Sequence, residues 1–170
     1  RRGVSDYVLP PVNALDVALR KAIDLGWVDG PRIVPAGHAI TPTGGHLDPT
    51  MFQAFAPHVL PLTVEEGIAN GISEIRKAVR YQIKYGAQVI KVCASGGVMS
   101  HTGPAGAQQY SNDELRAIAD EAHRAGLKVA AHAHGDDEED DLLPADRNLV
   151  AHGAALGDAL RLRALRAVPA

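Results

Sequence analysis

The sequence is short of cysteine. Cys93 is the single one in 170 residues, so no disulfide can form within the chain, and a reducing, cytoplasmic location is expected. Aromatic residues are scarce, at 4%, which disfavours stacking platforms for bases. There is no basic block: 17 Lys and Arg against 20 Asp and Glu leave a net charge of −3, so no nucleic-acid partner is expected. No apolar run approaches the roughly 18 residues of a membrane span, so no membrane partner is expected either. The opening residues, RRGVSDYVLPPVNALD, lack the apolar core and small-residue cleavage site of a signal peptide. The chain as a whole is 46% apolar and 22% charged, ordinary for a soluble globular chain long enough to bury one sizeable core. Histidine is the excess, with eight residues, and candidate chemistry is sought there first.

Glycines punctuate a repeating pattern. Residues 14–25 (ALDVALRKAIDL) read as an amphipathic helix with Leu15, Leu19, Ala22 and Ile23 on its apolar stripe, stopped by Gly26. Residues 31–36 (PRIVPA) read as a short strand. Residues 37–61 form an aperiodic stretch rich in Gly, Pro, Thr and His, longer than a simple connector. A second helix spans 72–85, with Ile72, Ile75, Val79 and Ile83 inward and Gly86 as its stop. Residues 89–94 (VIKVCA) are a nearly continuous apolar run, as in a strand buried on both faces. A Gly-rich loop follows. Ser111 and Glu114 then form a capping box that opens a helix reaching about Ala125, with Leu115, Ile118, Ala119 and Ala122 inward. Gly126 ends it before a strand at 127–131, and a further strand is read at 148–151 and a helix at 156–167.

Helix, glycine, strand and loop in alternation predict an α/β fold of βα units around a parallel sheet, with four to five strands. No repeat or linker divides residues 1–170, which are read as one domain. A complete (β/α)8 barrel takes about 250 residues, so the chain is either an open doubly wound sheet or a partial barrel. Residues 136–147 are atypical: DDEEDD at 136–141 reads as a solvated segment. It lacks the spaced ligands and glycine of a calcium loop.

Lys91 is the sharpest anomaly, a charge inside VIKVCA. It must snorkel to solvent, find an anion or lose its proton. A neutral buried lysine is a nucleophile, able to form a Schiff base or to take up carbon dioxide as a carbamate. His132 and His134, two apart at the end of the next strand, share one face. Ligands in parallel α/β proteins bind beyond the C-terminal strand ends, and neutral imidazole is the commonest metal ligand there. His152 ends the following strand, about one βα unit later. The Ser95-Gly96-Gly97 loop is neither a P-loop nor G-x-G-x-x-G. Ser95 and Ser100 lack a nucleophile elbow. Cys93 reads as an inert core thiol, His58 and His123 as surface residues, and His38 and His101 as loop residues.

The segments TPTGGH (41–46), IKVCASGGVMS (90–100), QYSNDELRAIADEAHRAGLKVAAHAHG (109–135) and AHG (151–153) together resemble the amidohydrolase superfamily. Within it they resemble the imidazolonepropionase-like and Xaa-Pro dipeptidase-like metal-dependent hydrolases. The resemblance covers about residues 16–135 and a patch around His152. It implies a (β/α)8 TIM barrel with a one- or two-zinc centre, or another divalent metal, at the C-terminal rim of its parallel strands. Lys91 falls on the family's fourth-strand lysine, often carboxylated, His132 on the fifth-strand histidine and His152 on the sixth-strand histidine. These three are the implied metal positions, with Lys91 and His132 the implied catalytic residues. His46, in GGH, and His134 are implied to contact substrate.

The implied reaction is attack of a metal-activated water on an amide-like carbon in a small-molecule or dipeptide-like substrate, with loss of the amine. The family's first-strand His-x-His and last-strand aspartate have no counterpart here, and Ala151 stands where a glutamate is usual. The chain is therefore expected to be a fragment of a larger hydrolase. An incomplete barrel leaves open sheet edges, so self-association into a homo-oligomer is one expectation. A non-catalytic remnant and a Lys91 Schiff-base enzyme are the rival readings.

Overall fold

Strand β1 (Val89–Cys93) is buried along its whole length, Lys91 included, as expected of a strand covered on both faces. The computed structural model describes residues 15–48, 50, 62–98, 103–133 and 149–152. Within these, β1, β2 (Lys128–His132) and β3 (Leu149–His152) form a parallel sheet in the order β1-β2-β3. Helix α3 (Asn112–Arg124) connects β1 to β2, which makes a βαβ unit of the kind the alternation predicts. The segment before β1 extends the parallel pairing. Ile40 bridges Val92, and Thr41 in turn bridges Ile68. The chain is thus α/β with parallel strands.

One correction concerns residues 31–36, which form no strand. Pro35 has no N–H for a ladder, and its carbonyl instead accepts from Gln88 N at 2.7 Å. Pairing with β1 begins four residues after the expected strand, where Ile40 N donates to Lys91 O at 2.8 Å and Cys93 N to Ile40 O at 3.0 Å.

Helices α2 (Gly71–Lys84) and α3 cover one face of the sheet. Ile75 and Val79 of α2 and Ile118 and Ala122 of α3 share a core with Ile90 and Val92 of β1 and Val129 and Ala131 of β2. Alternation along the strands then turns Lys91, Cys93, Ala130 and His132 to the other face. There Ala130 and Val89 meet Ala36 and Val34. Ile72 is exposed rather than inward, and the buried stripe of α2 starts a turn later, at Ile75. The capping box is present in both halves: Glu114 N donates to Ser111 Oγ, and Ser111 N to Glu114 Oε2 at 2.9 Å. The other oxygen of Glu114 accepts from Gly71 N at 3.0 Å, so one carboxylate caps α3 and braces the start of α2. Gly26, Gly86 and Gly126, read as helix stops, all take positive φ.

Helix α1 (Leu15–Asp24) departs from its expected face. Leu15 and Leu19 are exposed, while Asp16 and Val17 are buried. The cause lies outside the helix. One oxygen of the Asp16 carboxylate accepts from Ala36 N at 3.0 Å and Gly37 N at 3.1 Å, and the other from Val17 N at 2.8 Å. Those long-range bonds turn the acidic side inward. Asp16→Ala leaves two buried N–H groups of the 36–37 turn without their acceptor, an expected loss of about 2–3 kcal/mol in urea denaturation. Asp16→Asn should recover part of it. The expected helix at 156–167 and the acidic segment 136–147 lie outside the described residues.

Candidate active site

The site is set by strand register. Cys93 pairs with His132, and His132 with His152, so the tips of three neighbouring strands form one row. Adjacent strands lie about 4.8 Å apart, which puts the three backbone positions within reach of one small ligand. Lys91 sits opposite Ala130, one pleat behind Cys93 and on the same face. His132 and His152 therefore stand side by side in the backbone, as their spacing predicts. His134 lies outside the described residues, as do His58 and His101.

Lys91 does not snorkel: it is 6% exposed. Burial pulls its amine down from the ordinary 10.5 to about 8, with the nearby Cys93 acting weakly in the opposite sense. Burial likewise pushes the Cys93 thiol up to about 12, against a smaller opposing effect from Lys91. The thiol is therefore protonated and inert near neutral pH.

His46 enters from the long loop after Thr41. Its ring stacks on that of His132, with centroids 4.4 Å apart and planes at 29°. Three features hold it there. His46 N donates to Gln109 Oε1 at 3.1 Å, and its carbonyl accepts from Thr41 Oγ1 at 2.7 Å. The next residue, Leu47, has φ 67, a left-handed conformation that a leucine keeps only where its surroundings impose it. The buried Asp48 helps impose it, with its carboxylate accepting from Gly44 N at 2.7 Å and Thr50 N at 2.8 Å. Gln109 is fixed in turn by its own N–H to Ala94 O at 2.8 Å, just past β1. A Cβ at Gly97 would collide with the His46 ring, so the ring rests on bare backbone.

Sequence reading missed Gln109 and Asp48 as parts of the site, and took Gly97 only as part of a glycine loop without a phosphate-binding pattern. The segment GGHLD in an aperiodic loop was the signal available for Asp48; nothing local marked Gln109. His123 is half-buried in the last turn of α3 rather than on the surface, and His38 is a half-buried loop residue, its N–H donated to Gln82 Oε1. Among the described residues, no three His, Cys, Asp or Glu side chains form a group that could hold a metal ion. No helix among them is long and apolar enough to cross a membrane.

The chain is similar to known proteins in sequence and fold. A family model for the amidohydrolase family matches residues 9–146. The ochratoxinase of Aspergillus niger is 42% identical over 127 residues, which are 68% of this chain and 26% of the ochratoxinase. Among solved structures, a Xaa-Pro dipeptidase with methionine bound in its active site superposes with a TM-score of 0.73 at 36% identity, over 79% of this chain and 33% of that one. A prolidase complexed with N-methylphosphonate-L-proline gives 0.57 at 43% identity, over 69% and 29%. The chain thus spans about a quarter of the length of the curated relatives it matches.

Proposed function

Because the chain belongs to the amidohydrolase family, we propose that it forms part of a (β/α)8 barrel with a divalent metal, zinc in the first instance, at the C-terminal strand ends. The whole protein then hydrolyses an amide or peptide-like C–N bond in a small, dipeptide-like substrate. One observation carries this reading: Cys93, His132 and His152 stand in register at three strand tips, with the buried Lys91 one pleat behind.

The donor chemistry fits a divalent cation. Imidazoles are neutral nitrogen ligands. A lysine near pKa 8 is partly neutral at physiological pH, and its free amine can add to carbon dioxide. The N–C bond forms, one N–H proton leaves to solvent, and the product is a carbamate, an anionic oxygen donor on a long arm. Lys91 in that form, His132 and His152 are the residues that would hold the ion. A divalent ion supplies Lewis acidity and a water with its pKa lowered to about 7. His134, two residues past His132 in sequence, is proposed as a substrate-binding residue. Cys93, protonated, is not the nucleophile.

The test uses the complete protein that contains this chain, with Xaa-Pro dipeptides as first substrates. Hydrolysis is expected to fall to background in 1,10-phenanthroline and to return on adding zinc. Full turnover by metal-free protein, or trapping of a carbonyl substrate on Lys91 by borohydride, would replace this reading with the Schiff-base one.

A further inference from the structure

We propose that His46 is a positioning residue for His132: its ring, seated on the backbone of Gly97, sets the plane of the imidazole at the tip of β2. The inference rests on the reading of His132 as a functional imidazole, and adds a task for His46 that needs no contact with substrate.

Four segments far apart in sequence meet to make this arrangement. The 41–48 loop delivers His46, the loop after β1 supplies Gly97, the residue before Tyr110 supplies Gln109, and β2 supplies His132. The three atoms nearest a Cβ at Gly97 all belong to the His46 ring. Any side chain there must displace that ring. The same ring is stacked on His132, with centroids 4.4 Å apart, so the imidazole of His46 is in close contact with both a bare peptide and a second imidazole. A ligand histidine whose ring plane is fixed by a neighbour loses less orientational freedom on binding an ion. Removing a hydrogen-bonding support of a ligand histidine weakens metal affinity by about 10- to 100-fold, and loss of a stacking support is expected at the lower end of that range.

The stack predicts that ring shape at position 46 is what matters, and that Gly97 matters through the ring. His46→Ala, His46→Phe and Gly97→Ala in the complete protein test this by two readouts. The first is the His132 ring proton signal in metal-free protein, which the neighbouring ring shifts. The second is zinc affinity by chelator competition. His46→Ala should move the His132 signal and weaken zinc binding about tenfold. His46→Phe should keep the signal near its wild-type position and restore affinity to within about threefold, since a flat ring remains to stack. Gly97→Ala should behave like His46→Ala with both histidines present, and if it fails to fold, the two His46 variants decide alone. An unmoved His132 signal in His46→Ala overturns the proposal. So does a His46→Phe as damaged in both readouts as His46→Ala, because the imidazole nitrogens would then be the working part. If wild-type protein binds no zinc, the metal reading fails, while the ring signal still decides the role of His46.

Discussion

Lys91→Met is expected to make the metal-free protein more stable below pH 8, by about 3 kcal/mol, while removing one residue of the proposed metal site. The amine has a folded pKa of about 8 against an ordinary 10.5, and at 6% exposure there is little solvent to relieve the charge. Between those two values the unfolded chain holds a proton that the folded chain has lost. Stability of the wild type therefore rises with pH across that window, and below pH 8 the full cost of burying the cation is present. The difference of about 2.5 pKa units corresponds to about 3 kcal/mol. Methionine has a similar length and no charge, so the variant lacks this slope. Its advantage should be largest at pH 7 and close up as pH approaches 10.5. Urea denaturation of both proteins at a series of pH values checks this. Equal stabilities at pH 7, or parallel pH profiles, would mean that the amine is not desolvated as the fold implies. The same burial that costs stability keeps part of the amine neutral, which the proposed carbamate needs.

Gly67→Ala should cost about 4 kcal/mol, near the top of the range for single substitutions. Gly67 has φ 84, and a Cβ there would run into the carbonyl oxygen of Ala39. The obstacle is backbone, which cannot swing aside. The clash falls where Thr41 N donates to Gly67 O at 3.0 Å and Ala69 N to Thr41 O at 3.0 Å. Thr41 also holds the His46 carbonyl, so the damage should reach His46. Gly44→Ala is the control: its φ is 74 but nothing lies within 4 Å of the added carbon, and the expected cost is about 1 kcal/mol. Thermal or urea unfolding of the pair measures the difference. Similar losses at both positions would show that conformation alone, and not the close approach to Ala39, makes Gly67 necessary.

Much of the candidate site lies in short stretches of sequence. The charge inside VIKVC, the capping box of Ser111 and Glu114, and the histidines at strand ends are local patterns. Hydrophobic periodicity and helix capping act within a few residues, so α2, α3, β1 and β2 take bounds within about two residues of those read from sequence. The spacing between His132 and His152 correctly implies neighbouring strand tips, because a right-handed βα unit adds each parallel strand beside the last.

Other features rest on partners that no window of sequence contains. The apolar stripe of α1 suggested Leu15 and Leu19 as its buried face, yet Asp16 is drawn inward by N–H groups twenty residues away. The 31–36 segment has strand-like residues, but pairing waits until Ile40, where the chain meets β1. What sequence alone determined was the order of elements and which residue types reach the rim of the sheet, since those follow from local steric preference and period. Only the tertiary structure decided that Lys91 is buried and that His46 stacks on His132 close against the backbone of Gly97. Both are consequences of packing between distant segments, where the energy of a contact depends on what else fills the space.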